Sequence, residues 1–246
     1  MQLKFTLLIF SLLLLANFSI GQNQSFSKQQ VREDLTYLRE QLLAKHPNIL
    51  IYNSKADFDT FFNNITIPTQ VTTNEAYAHV ASTSSIIQDG HTLFYPDYEL
   101  IKSNNEKGYF IPLSVFWNGT SLFVKEYYSD DSTFIKGAKI IAINGVKSEK
   151  IIAFMLQRMM RDGNNFNYPI WVINQYFFEY YSYFYGCPKT FQILLEYQDR
   201  KQGEVILEGL LKADLLNKIK VHRKEEQAIS LAFNNPNSTA VLTIKD

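Results

Sequence analysis

Gly137-Ala138-Lys139-Ile140-Ile141-Ala142-Ile143-Asn144-Gly145 is the stretch from which the architecture is read. Lys139–Ile143 is rich in β-branched residues and predicts a strand. Asn144-Gly145 follows with two residues that tolerate positive φ, as a tight turn requires. Upstream, Tyr109–Trp117 and Leu122–Tyr128 alternate with a period near two and flank Asn118-Gly119, which predicts a hairpin. Downstream, Ser148 is placed to cap a helix through Met160, and an aromatic helix follows Pro169 as far as Gly186. Phe191–Tyr197 and Glu204–Leu210 predict a second hairpin around the polar Gln198–Gly203. Lys212–Gln227 reads as a charged linker with partial helix. Ala228–Phe233 and Thr239–Ile244 read as two further strands around Asn234-Asn235-Pro236-Asn237.

Towards the N-terminus the period lengthens. Ser27-x-x-Gln30 forms a capping-box pattern, after which Val31, Leu35, Leu38, Leu42 and Leu43 recur on one helical face until Pro47. Ser54–Asn64 predicts a second helix that buries Phe58, Phe61 and Phe62. Thr72-x-x-Glu75 opens a third, expected to run through Ile87 and stop at Asp89-Gly90, with Gly90 as a left-handed terminator. The fold class is therefore α+β: a three-helix subdomain, then a β-rich module with inserted helices.

Composition narrows the function classes. The 246 residues carry 24 Lys+Arg and 24 Asp+Glu, a balance with no electrostatic footprint for nucleic acid. Lys4 precedes the apolar run Phe5–Ala16, and Ser19-Ile20-Gly21 places small residues where a signal peptidase reads. That run is shorter than the roughly 20 residues needed to span a bilayer, so residues 1–21 are expected to be an export signal rather than a membrane anchor. The mature chain is expected to start near Gln22, in the periplasm or outside the cell. A single cysteine, Cys187, allows no internal disulfide and no multi-thiolate metal site.

Three patterns, in order, resemble the S41 family of serine peptidases, which comprises the C-terminal processing, tail-specific and tricorn-like proteases. The first is Val31-Arg32-Glu33-Asp34-Leu35-x-x-Leu38 with His46-Pro47-Asn48 and Phe58–Phe62. The second is Asp89-Gly90-His91-Thr92. The third is Gly137-x-x-Ile140-x-x-Ile143-Asn144-Gly145, which resembles the PDZ-like module of these enzymes. The closing Ala240-Val241-Leu242-Thr243-Ile244 is similar to the strand that leads into their catalytic core. The resemblance implies domains at 22–95 (helical), 106–211 (PDZ-like) and 212–246 (linker and first strands of a catalytic α/β core that is otherwise missing). The family's nucleophilic serine and oxyanion donors lie beyond such a region, so this chain alone is expected to be inactive.

By the same resemblance His91 is the candidate general base for a serine supplied from outside the chain. An ordinary imidazole titrates near pH 6.5, suited to that task; the competing reading is a turn residue that hydrogen-bonds locally. Gly108, Tyr109 and Phe110 are a candidate loop for a peptide carboxylate, held by backbone N–H groups as in β-augmentation. His46 reads as a structural residue at a helix end, His79 as a surface partner of Glu75, and His222 as an exposed linker residue. No metal or cofactor is expected. The expected partners are peptide or unfolded-protein C-termini and a separately encoded catalytic domain. The alternative is a non-catalytic peptide-binding or adaptor protein.

Overall fold

The protein is described by a computed structural model covering residues 25–129, 134–222, 229–234 and 239–244. The expected export signal lies outside the described residues. The chain is α+β and divides into two compact units. Among the described residues, the first contains those up to Ile101 together with Ile152–Trp171 and Tyr183–Gly186; the second contains those within Lys102–Ile151, Val172–Ser182 and from Cys187 onward. The segment Ile152–Trp171, inside the 106–211 range read from sequence, thus belongs to the unit of the N-terminal helices.

In the first unit, strand β1 (Ser25–Ser27) pairs antiparallel with β2 (Gln70–Thr72), and each strand runs into a helix. Ser27 caps Lys28–Lys45, Ser54 caps Lys55–Asn64 and Thr72 caps Thr73–Ser82. All three are complete capping boxes, closed by Gln30, Asp57 and Glu75. Each box satisfies helix N-terminal N–H groups that would otherwise lack partners. Two apolar clusters result: Leu42, Ile49, Phe58, Phe62, Ile86 and Ile87 in one, and Val31, Leu35, Ile67 and Val71 in the other. Arg32 reaches the carbonyls of Phe62 and Ile65, satisfying acceptors at the end of the Lys55–Asn64 helix.

The third predicted helix is interrupted. Thr73–Ser82 ends at Thr83, a short turn of helix follows at Ser84–Ile87, and the left-handed terminator is Gln88 at φ 53° rather than Gly90. Gln88 lowers the cost of this conformation by donating from its side chain to the Ser85 carbonyl and accepting the Gly163 N–H at its own carbonyl.

The second unit is built on an antiparallel sheet in the order β4 (Leu113–Trp117), β5 (Leu122–Tyr127), β6 (Lys139–Ile143), β8 (Thr190–Glu196) and β9 (Gln202–Glu208). β7 (Val146–Lys147) folds back on β6 through Asn144 at φ 48° and Gly145 at φ 76°, the paired positive values that the dipeptide predicts. Leu113, Val115, Leu122, Ile140, Ile143, Ile193 and Leu195 are all fully buried along these strands. At the free side of β4, Asn174 takes the place of a neighbouring strand. Its Oδ1 accepts the Trp117 N–H at 2.7 Å and its Nδ2 donates to the Trp117 carbonyl at 3.5 Å.

Four boundaries differ from the sequence reading. The helix expected to reach Met160 ends at Leu156, and Ser148 uses its hydroxyl to donate to the Ile140 carbonyl. Tyr98–Lys107 is a helix that the sequence pattern does not announce. Pro112, without an N–H, separates β3 (Tyr109–Phe110) from β4, and β3 pairs with β10 (Leu210–Leu211). Lys212–His222 is a regular helix where the sequence suggests a linker with partial helix. The closing strands β11 (Ile229–Asn234) and β12 (Thr239–Ile244) form an antiparallel hairpin, with Leu231, Phe233, Val241 and Leu242 exposed.

Candidate functional site

The Asp89–Thr92 turn lies just beyond the left-handed Gln88. The Thr92 N–H donates to the Asp89 carbonyl at 3.4 Å, and the Thr92 hydroxyl donates to Asp89 Oδ2 at 2.6 Å. His46, at the end of the first long helix, closes the arrangement. Its Nε2 lies 3.3 Å from Asp89 Oδ2 and 3.0 Å from Thr92 Oγ1, while its Nδ1 accepts the Asn48 N–H at 3.2 Å. With Nδ1 accepting, the neutral ring carries its proton on Nε2 and donates towards Asp89. Partial burial opposes the Asp89 charge, but hydrogen bonds from Thr92 and His46 outweigh it and hold the carboxyl below its ordinary value of 3.8.

His91 is presented by this anchored turn. Its side chain is 92% exposed and its Nδ1 is 3.7 Å from Asp89 Oδ1. Asp89 therefore faces two imidazoles, His46 through Oδ2 and His91 through Oδ1. On the other side of the turn, the Gly90 N–H donates to Asp162 Oδ1 at 2.9 Å. Asp89, His91 and Asp162 thereby bring three potential metal-ligand atoms within 4.8 Å of one another. Asp89 and Asp162 are, however, already occupied as acceptors for Thr92 and Gly90.

Gly90 is required here for space, not for a left-handed φ. A Cβ at this position would lie 2.7 Å from Asp162 Oδ2 and 2.9 Å from its Cγ. The neighbouring Arg161 is buried, with its Nη2 3.5 Å from the Ser85 carbonyl and its guanidinium 4.8 Å from the Phe166 ring centroid.

The candidate carboxylate loop Gly108–Phe110 uses part of its main-chain donor set within the fold. The Gly108 N–H donates to the Asn104 carbonyl at 2.9 Å and the Tyr109 N–H to the Cys187 carbonyl at 3.4 Å. Phe110 is buried, edge-on to Phe178 and 5.7 Å from the Lys212 ammonium. Two of the donors the loop would offer are thus committed within the fold. Gly108 lies tight against Cys187, where a Cβ would come within 2.8 Å of Sγ.

Sequence reasoning placed His46 at a helix end but not against Asp89 and Thr92, and it missed Asp162. Neither contact carries a local signal, because each residue acts on the turn from a distant part of the chain. His79 is half-buried rather than a surface partner of Glu75; burial first, and then Arg158, hold its ring below the ordinary 6.5.

No family model matches the chain, and no curated protein matches it. Among solved structures it is similar to CPAF. A mutant form of CPAF overlaps 74% of this chain at 10% identity and a TM-score of 0.44; mature CPAF overlaps 87% at 9% identity and the same TM-score. Mature CPAF complexed with lactacystin gives 74%, 10% and 0.40. The chain spans only 34%, 46% and 34% of the length of those three chains. Likenesses at this level assign no activity.

Proposed function

We propose that the chain is the substrate-recognition part of an exported S41-type serine peptidase, and that His91 is the general base for a serine carried outside residues 1–246. The observation that carries this reading is the pairing of an exposed His91 imidazole with Asp89, a carboxylate fixed by Thr92 and His46. A base must reach its nucleophile while staying oriented, and a neighbouring carboxylate stabilises the imidazolium formed when it takes the serine proton. Asp89 meets the second requirement without being the group that moves. The β-rich unit, in this reading, is the PDZ-like module that receives extended peptide C-termini by β-augmentation.

Two measurements test the proposal. Coding sequence following Asp246, or a separately encoded partner, is expressed with this chain and treated with a fluorophosphonate serine probe. The expected result is labelling and peptide hydrolysis that His91→Ala abolishes while the fold is retained. Hydrolysis unchanged in His91→Ala would remove the base assignment. Absence of any probe-reactive serine, with peptide binding intact, would favour the non-catalytic adaptor.

A further inference from the structure

The first unit contains an open cavity of about 520 Å³ lined by Thr60, Phe61, Ile65, His79, Ser82 and Arg158, with Asp57, Asn64 and Thr66 completing its wall. Its volume falls in the range of small-molecule sites. The cation in this wall is spent only in part. Arg158 donates from Nε to the Ala78 carbonyl at 3.2 Å and from Nη1 to the Phe154 carbonyl at 3.0 Å, and its guanidinium carbon sits 3.4 Å from the Phe154 ring centroid. These contacts fix the guanidinium plane, while Nη2 makes no hydrogen bond and Arg158 no ion pair among the described residues. The group is desolvated enough to fall to about 10, a cost that a bound anion would relieve.

The acids nearby do not supply that anion. Asp57 is held by the Ser54 N–H and hydroxyl, and Glu75 by the Thr72 N–H and hydroxyl, each closing a capping box. The other neighbouring cation, Arg32, is turned onto the Phe62 and Ile65 carbonyls. Phe61 and Ile65 give the cavity an apolar wall, while Thr60 and Ser82 bring hydroxyls.

We propose that this cavity binds the carboxylate of a ligand whose adjoining body is apolar, with Arg158 as the anion clamp and Phe61 and Ile65 as the body's contact. Arg is suited to this task because its planar fork matches a carboxylate. Such a carboxylate has two sources, a free small acid or the C-terminal residue of a peptide, and both present the same group. The site is distinct from the Asp89–Thr92 turn and does not depend on the peptidase reading.

The test uses the purified chain with N-acetylphenylalanine, its amide, and one apolar-ended peptide with either a free or an amidated C-terminus. Binding is followed by calorimetry and by NMR titration of the His79 ring. A carboxylate beside Arg158 is expected to raise the His79 titration midpoint, because it adds negative charge next to a ring now depressed by burial and by Arg158. The free acids are expected to bind about tenfold or more tighter than the amides, the scale of one charge-assisted hydrogen bond. Arg158→Gln is expected to erase that preference. Since Arg158 also holds two carbonyls, Thr60→Trp serves as a second variant that fills the cavity from an exposed position. Binding of the free peptide but not the small acid assigns the site to peptide C-termini; the converse assigns it to small acids. Equal binding of acid and amide, no binding of either, or a His79 shift that persists in Thr60→Trp would each overturn the proposal.

Discussion

Gly90 and Asp162 meet so closely that no side chain fits between them, with the Gly90 N–H donating to Asp162 Oδ1 at 2.9 Å. Gly90→Ala would place a methyl group 2.7 Å from Oδ2, so the carboxylate must swing away and the hydrogen bond is lost. The expected cost is about 1 kcal/mol, the size of an ordinary hydrogen bond, because the exposed Asp162 carboxylate regains water when it swings away. Asp162→Ala removes both the bond and the obstacle. In the double variant, Gly90→Ala should therefore add little, and urea unfolding of the four proteins of this cycle measures the coupling.

Asp89 makes the same turn sensitive to acid. Its carboxyl sits below 3.8 in the folded chain and near 3.8 when unfolded. The unfolded state therefore binds the proton first as pH falls. The stabilisation is complete above the unfolded value and is lost as pH drops through the lower native value. Asp89→Asn should flatten this part of the stability-pH curve below about pH 4 and cost about 1–2 kcal/mol at neutral pH. Parallel urea titrations from acid to neutral pH give the comparison. A curve for Asp89→Asn with the wild-type slope would show that other carboxyls control acid unfolding.

Much of the helical frame was legible because its signals are local. Ser27 with Gln30 and Thr72 with Glu75 place each cap three residues from its reciprocal partner, a spacing that needs no tertiary information. Asn144-Gly145 is equally local, since positive φ depends on side-chain sterics at those two residues. The site was harder. His91 could be singled out, but the His46–Asp89 contact joins residues 43 positions apart and leaves no periodic trace. Gly90 misled for a physical reason: glycine is the usual left-handed terminator, yet here Gln88 takes that conformation and Gly90 admits Asp162. The β1–β2 pair, with strands of three residues, is too short for alternation to register.

Asn144 does more than turn the chain. Its N–H donates to the Gln192 carbonyl at 2.8 Å and its Oδ1 accepts the Gln192 N–H at 2.9 Å, which ties the β6–β7 turn to β8. Asn144→Ala keeps the main-chain bond but loses the second one, the longer Nδ2 donation to the Tyr181 hydroxyl at 3.4 Å and the side chain's tolerance of φ 48°. The expected loss is about 2 kcal/mol, from these side-chain hydrogen bonds and a left-handed non-glycine residue. Asn144→Gly relieves only the conformational part and should fall between the wild type and Asn144→Ala. Thermal or urea unfolding ranks the three.

Cys187 should be a poor nucleophile. Burial pushes its thiol up to about 11, against smaller opposing effects of Ser182 and Lys212. Relative to a thiol at its ordinary value of 9.0, the thiolate fraction at pH 8 falls about a hundredfold. Reaction with a disulfide reagent at that pH should be at least this much slower in the native chain than in urea. Fast native labelling would mean that the thiol is more open than its place against Gly108 implies.

The helix Lys212–His222 is integral to the second unit, because two of its residues are anchored there. Leu215 is fully buried, and the Lys212 ammonium lies 2.6 Å from Glu179 Oε1 with both side chains about one-fifth exposed. A linker would tolerate truncation of either side chain. Leu215→Ala should instead cost about 2–5 kcal/mol, through lost transfer energy and the cavity left behind. Lys212→Met leaves Glu179 partly buried without its cation and should be more damaging than the double change Lys212→Met with Glu179→Gln. Hydrogen exchange of the sheet amides, measured beside urea unfolding, separates the two descriptions. Loss of protection across β8 and β9 in Leu215→Ala is expected if the helix is part of the unit's cooperative fold, and loss confined to residues 212–222 would return the segment to a linker.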